Sequence, residues 1–198
     1  MPSPACKLNA LHNKIETMKD LSMHIMDILQ NSTRAKATEV TLEVIEDSAA
    51  DTLTLRFIDN GCGMDAETVQ KVINPFFTTR TTRKVGLGLP LLKQNTEQTG
   101  GSLDIQSEVG VGTTVTAVFG LTHLDRPPMG DLAGTMVLTI AAHPEIHFIL
   151  HFQRIKDGKE ETDYILDTDE LYEALDGVSM QEPEVMTYIK EMVEENLR

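Results

Sequence analysis

With 198 residues, 40% of them hydrophobic and 24% charged, the chain can bury one core of ordinary size, with or without a small appendage. Its 17 basic and 31 acidic residues give a net charge of −14, which argues against a general nucleic-acid or anionic-membrane binder. No run approaches the roughly 20 apolar residues of a membrane span, no secretory signal opens the chain, and Cys6 and Cys62 form no disulfide or metal pattern, so a cytoplasmic protein with free thiols is expected.

In chain order, apolar residues at Leu11, Ile15, Met18, Leu21, Ile25 and Ile28/Leu29 predict one helix from Leu11 to Ser32. "TEVTLEV" and "TLTLRFI" alternate like strands. A short helix follows from Asp65 to Val72, with Asp65 as N-cap. "GLPLLKQNTEQTGG" reads as a helix stopped by Gly100-Gly101, and "SLDIQSE" with "TTVTAVF" as a hairpin. Paired adjacent strands favour a mostly antiparallel or mixed sheet with helices on one face.

"LTHLDRPPMGDL" reads as a connector. Before it, residues 1–120 carry 11 basic and 14 acidic residues; residues 121–198 carry 6 and 17. This asymmetry predicts two parts, 1–120 and an acidic α+β region at 121–198. The second part reads as a helix ending before Pro144, a hairpin of "IHFILHFQRI" and "TDYILD", and two helices, the last with Pro183 at its first position. His143, His147 and His151 are spaced i, i+4, but on a strand His147 and His151 lie about 13 Å apart, too far to share one ion. No zinc site is expected from this histidine cluster, and stoichiometric zinc lost on His147→Ala would refute that expectation.

Several short motifs carry chemistry. Asp27 and Asn31 share a helix face, where a carboxylate and an amide can hold a water or a cation. "DNGCGM" places Asp59 at a strand end before two glycines that permit close backbone approach. "NPFFTTRTTRKVGLGLPLL" joins two aromatics, a Thr- and base-rich loop and a Gly-x-Gly opening a helix, a setting that favours phosphate. The P-loop pattern is absent, and "GLGLPL" lacks the third glycine of the dinucleotide fingerprint.

Taken together, "HIMDILQNSTRAKA", "DNGCGM", "PFFTT", "GLGLPLLK" and "GGSLDIQSEVGVGTTVTAVF" resemble, in order and spacing, the ATP-binding domain of the GHKL superfamily: sensor histidine kinases, DNA gyrase, a heat-shock chaperone and mismatch-repair ATPases. The resemblance covers about residues 20–120 and is strongest to the histidine kinase-like ATPase domain. It implies an α+β fold, a two-layer α/β sandwich of Bergerat type with a mixed sheet under helices, joined here to a small C-terminal α+β appendage. It implies ATP and Mg²⁺ as ligands. Asn31 would ligate the Mg²⁺ and Asp59 would accept from the adenine amino group. Gly61 and Gly63 would let the backbone pass the base, and Met64 would pack on it. Thr113 or Thr114 would add a hydrogen bond near the adenine. The lid would run from Phe76 to Gly88, with Phe76, Thr78, Thr79, Gly86, Leu87, Gly88 and Leu89 on the nucleotide. Arg80, Arg83 or Lys84 would neutralise the γ-phosphate.

Asp27 stands where the family often carries Glu, which orients or deprotonates the attacking water in its hydrolysing branches. Being a methylene shorter, Asp27 is the catalytic candidate of an enzyme for which ATP binding ranks above fast hydrolysis. No phosphoacceptor histidine of the sensor-kinase kind is found: His12 and His24 lack the expected following residues. The leading expectation is a stand-alone signalling ATPase domain that phosphorylates a separate protein on His or Ser. The alternative is an ATP-dependent regulatory module without significant turnover, and a dimerising clamp ATPase ranks third. ATP or ADP and a protein partner are expected, with neither nucleic acid nor membrane; a homodimer is compatible with each reading.

Overall fold

A computed structural model describes residues 19–74 and 88–198. In order, these residues form α1 (Leu21–Arg34), β1 (Glu39–Asp47), β2 (Thr52–Asp59), α2 (Ala66–Val72), α3 (Gly88–Gln98), β3 (Ser102–Glu108), β4 (Gly112–Gly120), α4 (Leu132–Ala142), β5 (His147–Lys156), β6 (Lys159–Asp167), α5 (Thr168–Ala174) and α6 (Pro183–Asn196).

The strands make one mixed sheet in the order β3-β4-β2-β1-β5-β6. All neighbours are antiparallel except β1 and β5, which run parallel. Period-two alternation decides which face is buried. Leu42 and Val44 of β1 register with Phe57 and Leu55 of β2, and Val40, Leu42 and Val44 with Phe148, Leu150 and Phe152 of β5. All of these side chains are buried, as are Leu53, Val115, Ala117 and Phe119. Their opposite-face neighbours, among them Thr41, Glu43, Thr54 and Arg56, stay half-buried or exposed. The helices therefore form a second layer over one face, as the sandwich requires.

Asp20, with φ −145°, makes α1 start at Leu21 within the run expected from Leu11 to Ser32; Leu11 to Met18 lie outside the described residues. Asp20 takes the N-cap, its carboxylate accepting from Met23 N at 3.1 Å. The carbonyls of Pro128 and Met129 accept from Leu21 N and Ser22 N, each at 2.8 Å, filling two more of the first turn's donors. Leu21, Ile25, Ile28 and Leu29 form its buried stripe. The region after residue 120 adds its strands to the same sheet and packs α4 against α1, where Thr139 Oγ1 lies 3.7 Å from Met26 Sδ.

Candidate functional site

The site is assembled at one end of the sheet's helix face by α1, the turn after β2 and the β3–β4 hairpin. Asp59 ends β2 opposite Val40 of β1 and Thr113 of β4, so its side chain points to the helix layer. Ser32, one residue past Asn31 on α1, donates to Asp59 Oδ2 at 2.8 Å, and Gly61 N donates to Oδ1 at 2.9 Å. Two fixed donors thus orient the carboxylate. An ionised carboxylate has about four lone-pair positions, so room remains for another donor.

Asn60 ties this turn to the α1–β1 connection. Its side-chain oxygen accepts from Thr38 N and Glu39 N at 2.8 and 3.0 Å, and its amide donates to Thr38 Oγ1 at 2.9 Å. Cys62 N also donates to Ala35 O at 2.8 Å. On the other side, Ser107 Oγ accepts from Met64 N at 2.8 Å, donates to Gly112 O at 2.9 Å and lies 2.8 Å from Thr113 Oγ1. Gly110 N closes the arrangement on Cys62 O at 2.9 Å.

The glycines of the turn first serve chain-to-chain contact. Gly63 has φ +64°, and a Cβ there would sit 1.9 Å from Glu108 O. Gly112, at φ +142°, would place its Cβ 2.0 Å from Asp59 O. The close backbone approach expected of "DNGCGM" is thus made, at Gly63, with the β3–β4 hairpin. The space beside buried Gly61 is taken by Ala35 and the Asp59 carboxylate.

Asp27 and Asn31 lie one turn apart on α1, Asp27 half-buried and Asn31 exposed. Asn31 Oδ1 accepts a long contact from Arg34 Nη1 at 3.4 Å. The Asp27 carboxylate lies against Gly88 at the start of α3, where a Cβ would fall 2.8 Å from Asp27 Oδ2. Leu89 is partly buried against the core. His24 Nε2 lies 2.9 Å from Asn95 Nδ2 and joins α1 to α3 at the same interface. Register separates the two threonine candidates: Thr113 shares the face of Asp59, whereas Thr114 pairs with Ile58 on the opposite face. Phe76, Thr78, Thr79, Arg80, Arg83, Lys84, Gly86 and Leu87 lie outside the described residues. Sequence reading passed over Ser32, Asn60 and Ser107. Asn60 carried a signal, since an Asn after a strand and before Gly is a turn former; the partners of Ser32 and Ser107 are remote in sequence.

An open mixed sheet under one helix layer, with an oriented acid at a strand end and an acid–amide pair on the helix above it, makes a two-layer α/β sandwich with a polar site at one end. The chain belongs to the family of histidine kinase-, DNA gyrase B- and HSP90-like ATPases, whose model matches residues 17–123. Residues 17–123 are accordingly an ATP-binding domain of the histidine kinase-like kind. The chain is 34% identical, over 54% of its length, to a protein of Shewanella frigidimarina carrying a sensor-protein name. It is 42% identical over 33% of its length to the sensor kinase CckA of Brucella abortus. It covers 17% and 7% of those two proteins, so it spans less than a fifth of the length of the curated relatives. Among solved structures, the N-terminal domain of a DNA repair protein aligns with a TM-score of 0.52 at 14% identity, covering 82% of this chain and 55% of that one. That likeness shows the fold. Among the described residues no helix is long and apolar enough to cross a membrane.

Proposed function

We propose that the chain binds Mg·ATP beside α1 and the turn after β2 and passes the γ-phosphoryl group to a separate protein. The observation that carries this reading is the doubly held Asp59 carboxylate, aimed at the helix layer beside Thr113. Asp59 accepts from the exocyclic amine of adenine, a donor guanine lacks at that position. Thr113, anchored on Ser107, lines the same end of the sheet. Asn31 and Asp27 offer an amide oxygen and a carboxylate from adjacent turns, a hard-oxygen donor set suited to Mg²⁺. When bound, that ion neutralises charge on the phosphates. The chain's own residues hold the nucleotide in place while the bond from the γ-phosphorus to its bridging oxygen breaks, a bond to the acceptor's nitrogen or oxygen forms, the acceptor's proton passes to solvent, and ADP leaves. The sensor-protein relatives agree with a protein acceptor.

The test has two arms. Mg·ATP and Mg·ADP at about 100 times their Kd should stabilise the chain by roughly 2.7 kcal/mol, Mg·GTP should not, and Asp59→Asn should remove the shift. Radiolabelled ATP should then label an added candidate acceptor. Absence of any adenine-nucleotide shift removes the site assignment. A shift without a labelled protein removes the kinase reading and leaves a regulatory module that binds ATP.

A further inference from the structure

Three carboxylates surround a single imidazole where β1 and β5 begin and β6 ends. His147 opens β5 in parallel register with Glu39 of β1, and its Nδ1 lies 3.8 Å from Glu39 Oε2. On its other side, Nε2 lies 2.8 Å from Asp167 Oδ1 and 3.8 Å from Asp169 Oδ2. Asp167 ends β6 and caps α5, and Asp169 belongs to that helix's first turn. One donor atom each from His147, Asp167 and Asp169 falls within 4.8 Å of the others. We propose that these three residues bind a divalent first-row transition ion, with Zn²⁺ as the reference ion and Glu39 steadying the second imidazole nitrogen.

Three arguments support the assignment. The first is charge. Among the described residues no Lys or Arg pairs with Glu39, Asp167 or Asp169; their ion-pair contacts all go to His147. A protonated imidazole leaves two negative charges uncompensated, in a protein whose net charge is already −14. A dication on the neutral ring leaves one. The second is spacing. Bonds of about 2.0–2.1 Å in a tetrahedron put ligand atoms roughly 3.3 Å apart. The two distances from His147, 2.8 and 3.8 Å, bracket that value, and the two carboxylates lie within 4.8 Å of each other, so side-chain rotation can bring the three atoms to one ion. The third is donor type. A nitrogen ligand favours zinc-like ions over Mg²⁺ and Ca²⁺, and a carboxylate on the far ring nitrogen is the usual outer partner of a metal-bound histidine. The side chain of Asp169 is 71% exposed, leaving a path for the ion. His151 takes no part: its Nε2 is 2.6 Å from Asp163 Oδ1.

The experiment uses the full chain, stripped by a chelator and titrated with ZnCl₂ in the absence of nucleotide. One ion per chain is expected, retained in His151→Gln and in Asn31→Ala, which separates this site from the proposed nucleotide site. His147→Gln should lose the ion, and Glu39→Gln should weaken binding roughly 10- to 100-fold. Asp169→Asn, at an exposed position, should fold normally by circular dichroism and still bind more weakly. The proposal is overturned if wild type shows no saturable binding, if excess Mg²⁺ displaces the ion, or if His147→Gln and Asp169→Asn both keep wild-type affinity.

Discussion

Asp59 depends on its neighbours for its orientation, and the dependence can be measured. Ser32 Oγ holds one carboxylate oxygen from the helix that also carries Asn31. A hydrogen bond to a charged group contributes about 1.5–3 kcal/mol. Ser32→Ala should therefore lower stability by about 1.5–3 kcal/mol in a denaturant titration, and, by leaving the Asp59 carboxylate held on one oxygen only, weaken ATP binding in a direct titration. The paired glycines of the β3–β4 hairpin give a second residue-level contrast. Gly110 has φ +79° but open space around it, so Gly110→Ala should cost about 1 kcal/mol of conformational strain. Gly112→Ala would drive a methyl into the Asp59 carbonyl, adding overpacking of about 1–3 kcal/mol and displacing the turn that presents Asp59. Melting temperatures and nucleotide affinities of the two variants should diverge in that order; equal behaviour would refute the contact argument.

The helices are positioned by caps and cross-links as much as by their apolar stripes. At the start of α4, Asp131 accepts from Gly134 N at 2.8 Å and pairs with Lys190 of α6 at 2.9 Å. The Lys190 hydrogen bond, followed by that of the Gly134 N–H, holds the Asp131 carboxyl below its ordinary range. A carboxyl depressed in the folded state contributes stability above its unfolded value near 3.9, and the contribution is lost as pH falls through the lower, folded value. Asp131→Asn keeps a cap and removes the charge. It should cost less than about 1 kcal/mol at pH 7, because the pair is exposed to solvent. Denaturant curves should show the gap to wild type closing as pH falls below about 4, and a gap constant with pH would exclude the ion pair as its source.

At the scale of the whole molecule, the charge boundary near residue 120 falls within one sheet. β5 covers the outer edge of β1, and Phe148, Leu150 and Phe152 complete a row with Val40, Leu42 and Val44. The connector's carbonyls also cap α1. A chain cut after Leu121 should therefore lose its cooperative melt and bind a hydrophobic dye, since it exposes a long apolar edge and face. The intact chain should melt in one transition; a cooperative melt of the shortened chain would refute this. The elements and the nucleotide-binding family were legible because they rest on local patterns: alternation in β1 and β2, Asp65 and Pro183 at helix starts, and five short segments in fixed order. The parallel pairing of β1 with β5 was not legible, because residues about 110 apart must meet and no local period encodes a partner. The same limit explains Ser32 on Asp59, the register of Thr113 with Asp59, and the acids around His147. The residues of this protein alone determined its strands, its helices and its kind of ligand. The tertiary structure decided which carboxylate meets which donor, since such contacts depend on register across the sheet rather than on spacing along the chain.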